Sequence, residues 1–317
     1  MADEPNSEVQ ELLDLLDAMD APAIHELEPQ EARGLLDSTL SPCSPTEPVA
    51  DVTDRAIEGP AGEIPIRVYA PEGDGPFPVI VYFHGGGFVL GGIDTHDDTC
   101  RVLCNATEAV VVSVDYRLAP EHPFPAAVED AYAATEWAAD HGGAIDGDPD
   151  RLVVAGDSAG GTLAAVVSLM ARDRADRGES VPDIAYQALF YPATAVEGEY
   201  PSREENAEGY FLTAADLHYF RDHYLEHDLE AYNRYAFPME ACNLANLPPA
   251  TVVTAGFDPL RDEGRAYADR LDADGVDVTH RNYEDVIHGF VSLLGQYEVS
   301  RARTAIEDVA GDIEDAL

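Results

Sequence analysis

The sequence contains no lysine. All 18 of its basic residues are arginines, set against 62 aspartates and glutamates, for a formal net charge of −44. Nucleic acid and anionic membrane surfaces repel such a chain, so neither is an expected partner. Cysteine is scarce as well. Cys43, Cys100, Cys104 and Cys242 form no disulfide framework. Cys100 and Cys104 fall one turn apart on an expected helix without further ligands at zinc spacing, so no metal site is expected and the thiols read as buried and free. No apolar stretch is long enough to cross a bilayer. The first residues, Met1 to Glu8, lack the basic start and apolar core of a secretory leader, and a cytoplasmic location is the expectation. There is no internal repeat and no phosphate-binding loop, and no cofactor is expected.

What remains is an ordinary interior under an extreme surface. Hydrophobic residues make up 45% of the chain, enough for a full globular core, and they recur in strand and helix patterns that exclude general disorder. The acids are spread along the whole length rather than gathered in a tail. In dilute buffer so much like charge opposes compaction. Near 1 M salt the Debye length falls to about 3 Å and the repulsion is largely screened. The composition therefore predicts a salt-adapted protein that needs molar KCl or NaCl. The alternative is an acidic protein from a low-salt cytosol.

Along the chain, residues 7–19 carry Val9, Leu12, Leu13, Leu16 and Met19 on one helical face, with Ser7 and Gln10 as a capping box. A second short helix runs from Pro29 through Leu36, and Ser41 to Pro45 reads as a linker. Residues 1–45 are expected to form the N-terminal part of a lid. Strands begin near residue 50. Pro65–Tyr69 alternates, whereas Pro78–Phe83, Ala109–Asp115, Val153–Asp157, Ala185–Tyr191 and Ala250–Ala255 are continuous apolar runs, as buried parallel strands are. Helices are expected near 96–106, from Phe124 to His141 with Gly142-Gly143 as its cap, from Thr162 to Met170, and from Arg261 to Asp272. Val276–Tyr283 is the last strand, and Val299, Ala302, Ile306, Val309 and Ile313 line a closing helix. Strands alternating with helices imply an α/β fold with a mostly parallel, doubly wound sheet over 46–197 and 241–317. Residues 198–240, rich in tyrosine and acids, break the rhythm and read as a helical cap insertion over the sheet's carboxyl edge.

Chemistry concentrates at strand ends. Gly156-Asp157-Ser158-Ala159-Gly160 stands between an apolar strand and a helix, the setting of a nucleophile elbow, in which side chains at 156 and 160 would collide with neighbouring backbone. A serine hydroxyl needs a base, an orienter for that base and donors for the oxyanion. His84-Gly85-Gly86-Gly87-Phe88 follows a strand directly; Gly85 and Gly86, with the N–H of Ala159, are the expected oxyanion donors. His84 itself reads as a holder of the loop rather than a base. Asp258 opens the loop after the strand 251–254, while its rival Asp262 falls in the next helix's first turn, where the helix dipole explains an acid. His288 follows the last strand; His218, His223 and His227 lie in acidic helical or loop settings. The order Ser158, Asp258, His288 is that of α/β-hydrolases.

Together His-Gly-Gly-Gly-Phe, Gly-Asp-Ser-Ala-Gly, Asp-Pro-Leu-Arg-Asp-Glu-Gly (258–264) and His-Gly-Phe (288–290) resemble the hormone-sensitive-lipase family of esterases. Asp115–Glu121, Phe124–Ala127 and Glu205–Thr213 are similar to the same family, and the likeness spans about 60–295. It implies an α/β-hydrolase fold with a helical cap and a serine carboxylesterase of short- to medium-chain esters, so the expected partner is a small-molecule ester; a homodimer is implied on the same ground. Phe88, Tyr210, Phe211, Tyr219 and Phe220 are candidate pocket residues, with ordinary cap packing as the alternative for the last four. One departure stands out: Glu284-Asp285 occupies a place where a small residue is usual, which sets Asp285 up to compete with Asp258 for the imidazole. A lipase, a lactonase or an amidase would use the same three residues. A ligand-binding receptor of this fold would lack the histidine, which is present here.

Overall fold

The computed structural model describes residues 2–19, 21–41, 45, 47–196, 198–295, 297 and 299–317. Eight strands form one sheet: β1 (Asp51–Gly59), β2 (Gly62–Ala70), β3 (Phe77–Phe83), β4 (Val110–Val114), β5 (Gly147–Asp157), β6 (Ile184–Phe190), β7 (Ala250–Phe257) and β8 (Val278–Ile287). Their spatial order is β1-β2-β4-β3-β5-β6-β7-β8. The β1–β2 and β2–β4 pairs are antiparallel and the others parallel. The helices are α1 (Ser7–Ala18), α2 (Pro29–Leu40), α3 (Asp97–Thr107), α4 (Ala126–His141), α5 (Ala159–Ala175), α6 (Ser202–Glu205), α7 (Ala214–Tyr224), α8 (Arg261–Ala273) and α9 (Ser300–Ala316). No helix of the described residues is long and apolar enough to cross a membrane.

The apolar runs are buried on both faces. Val79, Val81 and Phe83 of β3 join a core with α4, α5 and α8, while Ile80 and Tyr82 join a second core with α3 and α9. Successive residues of a strand point to opposite faces, so a continuous apolar run is what a sheet covered on both sides requires. α5 is the central helix. Every residue from Ala159 to Ala171 is buried, and a helix apolar all round belongs in a core.

The approach of α5 to the sheet is unusually close. A Cβ added to Gly160 would sit 1.9 Å from the carbonyl oxygen of Phe83, and one on Gly156 would sit 2.4 Å from the backbone of Gly160. Glycine at both positions lets the start of α5 lie directly on β3 and β5.

Several local expectations are corrected. Asn6, not Ser7, caps α1, its side chain accepting from Val9 N at 3.0 Å. α2 continues past Leu36 to Leu40. Gly142 stays right-handed and starts a 3-10 turn (Gly142–Ile145), and the left-handed residue that ends it is Asp146. The acid-rich segment 51–59 is an edge strand paired along its whole length with β2. Cys100 and Cys104 are buried free thiols, but Cys242 is exposed; Cys43 lies outside the described residues. No strand occurs among the described residues of 198–240.

Arginine braces the N-terminal helices. From α2, Arg33 donates to the carbonyls of Val89 and Ala119, each at 2.8 Å, and forks onto Glu121. Hydrogen bonding to Arg33 holds the Glu121 carboxyl down at about 2, against an ordinary 4.5. The folded state therefore favours ionised Glu121. That stability is present above pH 4.5 and is lost as pH falls through about 2. The pair is partly exposed, so Glu121→Gln is expected to cost under about 1 kcal/mol at neutral pH, with the gap to wild type closing below pH 4.5; urea unfolding at fixed molar KCl checks this. Gly160→Ala is expected to cost about 3 kcal/mol or more, at the upper end for overpacking, because its new neighbour is backbone rather than a side chain that can swing away. The same unfolding measurement reports it.

Candidate active site

Ser158 is the residue between β5 and α5, and the chain turns there with φ 55° and ψ −119°. A non-glycine residue in that region costs of order 1–3 kcal/mol and persists only where its surroundings fix it. Here Ser158 N donates to Phe190 O at 2.8 Å, and the α5 contact closes the other side. The hydroxyl is left at the carboxyl edge of the sheet.

Asp258 follows the last residue of β7 and His288 follows the last residue of β8. The two strands are parallel neighbours, so their ends deliver both side chains to the same edge. His288 Nδ1 lies 2.8 Å from Asp258 Oδ2, and His288 Nε2 lies 2.9 Å from Ser158 Oγ. A carboxylate accepts only, so Nδ1 carries the proton in this bond. In the neutral ring Nε2 is then the acceptor for the serine O–H. Asp258 is fully buried and its other oxygen accepts from Leu260 N at 2.8 Å. Asp262 is engaged elsewhere, accepting from Ser202 N and pairing with Arg261.

Asp285 does not reach the imidazole. It pairs with Arg301 at 3.2 Å and faces Asn6, so the expected competition with Asp258 is absent. The sequence reading lacked the partner, which comes from α9.

The glycine loop requires a second correction. Gly85 cannot serve as an oxyanion donor, because its N–H already donates to Asp157 Oδ1 at 2.9 Å. The N–H groups of Gly86, Gly87 and Ala159 have no protein acceptor among the described residues. His84 holds the loop as expected. Burial, together with the nearby charge of His96, pushes its pKa down to about 3, and Nδ1–H donates to Gly85 O at 2.8 Å. Tyr116 stacks on the His84 ring and donates to His84 O.

A cavity of about 950 Å³ opens over Ser158 and His288. One wall comes from the N-terminal helices, with Leu13, Leu16, Leu35 and Leu36. Leu217 and Phe220 of α7 face it, and Ala193, Ala195 and Val196 close a side. Phe88, Tyr210, Phe211 and Phe220 line this space, but Tyr219 does not. Tyr219 packs, as Phe220 also does, against the cluster of Val89, Leu90 and Ala119. Tyr191, which carried no signal in the sequence, packs beside the His288 ring at 4.7 Å. Asp157 and His96 were also passed over; both lie beneath the glycine loop.

With this geometry in place, comparison with known proteins is informative. Residues 80–292 match the model of a family described by its alpha/beta hydrolase fold. The chain is 48% identical over 258 residues to esterase LipI of Mycobacterium tuberculosis, covering 80% of this chain and 79% of that one. It is 37% identical over 278 residues to an arylesterase of Saccharolobus solfataricus, covering 87% and 88%. The solved structure of a hyperthermophilic esterase from the archaeon Pyrobaculum calidifontis superposes with a TM-score of 0.91 at 42% identity, over 98% of each chain. An eight-stranded, mostly parallel sheet, a serine at its central strand–helix turn and this likeness lead to one conclusion: the chain belongs to the alpha/beta hydrolase fold family.

Proposed function

We propose that this carboxylesterase is a serine hydrolase of the hormone-sensitive-lipase group, with Ser158 as nucleophile, His288 as base and Asp258 as its orienter. The observation that carries the reading is the unbroken chain from Asp258 through His288 to Ser158 Oγ at the floor of an apolar cavity. His288 takes the Ser158 proton as Oγ attacks the ester carbonyl carbon. The carbonyl electrons move onto oxygen, which Gly86, Gly87 and Ala159 receive. His288 then gives its proton to the leaving alkoxide, and the acyl-enzyme forms. Water repeats the steps, freeing the acid and restoring the serine. Asp258 fixes the tautomer and stabilises the imidazolium. A mostly apolar cavity of this size suits short- to medium-chain acyl groups.

The solvent is part of the proposal. A net charge of −44 with cations supplied by arginine alone supports a protein that works in molar salt, in the cytoplasm of a salt-accumulating cell. Most arginines are spent on ion pairs that link separate elements, such as Arg33–Glu121, Arg203–Glu263 and Arg281–Asp312, leaving the remaining surface acids to repel one another.

Three outcomes follow. Ser158→Ala is expected to abolish the burst of alcohol release from p-nitrophenyl butyrate and to lower turnover at least about a thousandfold; a surviving burst means that another residue attacks. Because the base is neutral imidazole, kcat/KM is expected to rise with pH and reach a plateau, and a fall toward alkaline pH would contradict it. On dilution from about 3 M to about 0.1 M KCl, where the Debye length grows to about 10 Å, far-UV ellipticity and activity are expected to fall together. Full retention in dilute buffer would remove the salt argument.

A further inference from the structure

Beneath the glycine loop lies a buried polar cluster that the esterase steps do not use. Its centre is Asp157, which precedes the nucleophile. One carboxylate oxygen, Oδ1, accepts from Tyr82 OH at 2.8 Å and from Gly85 N at 2.9 Å, and stands 3.2 Å from His96 Nε2. The other oxygen is packed flush against the loop, where a Cβ on Gly85 would lie 2.4 Å from it. Both Asp157 and His96 are at most 3% exposed.

The hydrogen bonds around His96 set its orientation. The Thr95 hydroxyl donates to Gly92 O and accepts from Gly92 N. Its proton is thus committed, so at 2.8 Å its oxygen accepts from His96 Nδ1–H. Nε2 is left facing the loop, where Gly85 N donates to it at 3.3 Å beside its shorter bond to Asp157 at 2.9 Å. Burial opposes ionisation of Asp157, but His96, Tyr82 and the nearby His84 outweigh it and hold the carboxyl below its usual range.

Both backbone groups of Gly85 are held: Asp157 accepts from its N–H, and His84 Nδ1–H donates to its C=O, which shares a peptide group with the Gly86 N–H. The next two N–H groups in the chain, those of Gly86 and Gly87, point to no protein acceptor among the described residues. We infer that Asp157 and His96 are positioning residues of the oxyanion site: the buried pair captures the Gly85 N–H, and this aims the following two N–H groups at the developing oxyanion. The inference rests on the serine-hydrolase reading above. It also gives a reason for an acid at the variable position of the elbow and for the otherwise unexplained Thr95-His96.

The test separates transition-state stabilisation from substrate binding. Asp157→Ala removes the one oxygen, Oδ1, on which Gly85 N and Tyr82 OH converge. It is expected to lower kcat about a hundredfold, in the range seen for loss of one oxyanion donor, with KM within about threefold. An aliphatic trifluoromethyl ketone reports the oxyanion site directly. Ser158 Oγ adds to its carbonyl carbon, the serine proton passes to His288, and the ketone oxygen becomes the anion. Its affinity is expected to fall by the same factor as kcat/KM, while that of the product acid stays unchanged. A folded variant with wild-type kcat, or one in which only KM rises, overturns the inference. Should Asp157→Ala fail to fold, His96→Gln and Tyr82→Phe decide. Parallel losses in kcat and ketone affinity support the positioning role, and unchanged values for both overturn it. Reaction of wild-type Ser158 with a phosphonate keeps the two readings apart, because its failure counts against the serine mechanism itself.

Discussion

The site depends on how closely α5 lies on the sheet. With glycine at 156 and 160, the start of the helix rests on the Phe83 carbonyl, and the chain has to turn through Ser158 in a conformation that serine resists. The apolar perimeter of α5 offsets that strain. Thirteen successive residues, Ala159 to Ala171, are buried, and at about 1.5–3 kcal/mol for each large aliphatic side chain the burial far exceeds the 1–3 kcal/mol stored at the turn. The nucleophile is thus exposed because the helix behind it is buried. The same contact fixes the first N–H of α5, that of Ala159, against the end of β3, where the glycine loop begins.

Charge is arranged on two scales. Inside, Asp157 and Asp258 are buried against donors: Tyr82 OH and the Gly85 N–H for the first, the Leu260 N–H and His288 for the second. Burying an anion is costly unless it is hydrogen-bonded, and each of these is. Outside, the acids outnumber their partners and the few cations act as braces. Arginine suits this role better than lysine, since its planar fork satisfies a carboxylate and nearby carbonyls together. Arg33 joins α2 to the segment after the glycine loop, and Arg203 joins α6 to Glu263 while donating to the carbonyls of Ala195 and Val196, which line the cavity. Molar salt would screen the repulsion between surface acids while leaving the short, partly buried braces in place.

Much of this was legible in the sequence because it is local. A continuous apolar run announces a strand covered on both faces, and Ser158, Asp258 and His288 each follow an expected strand within five residues, so strand ends alone bring them near one edge. The misreadings share a different cause: they turn on partners far away in the chain. Whether Gly85 or Gly87 is the free donor depends on a carboxylate from β5. Whether Asp285 disturbs the histidine depends on Arg301 of α9. Phe220 lines the cavity and Tyr219 does not because of the docking angle of α7, which its own sequence does not specify. His96 carried no signal because a lone histidine among acids gives no hint of a buried partner.

The central claim is that acyl transfer passes through Ser158. The most direct measurement is to mix the protein with excess p-nitrophenyl acetate in molar KCl, quench in acid within the first turnover, digest, and map the acetyl group by mass spectrometry. The account predicts an acetylated peptide carrying Ser158, absent from Ser158→Ala and lost if water is allowed time to complete the cycle before the quench. Steady ester turnover with the acetyl group on another residue would contradict it.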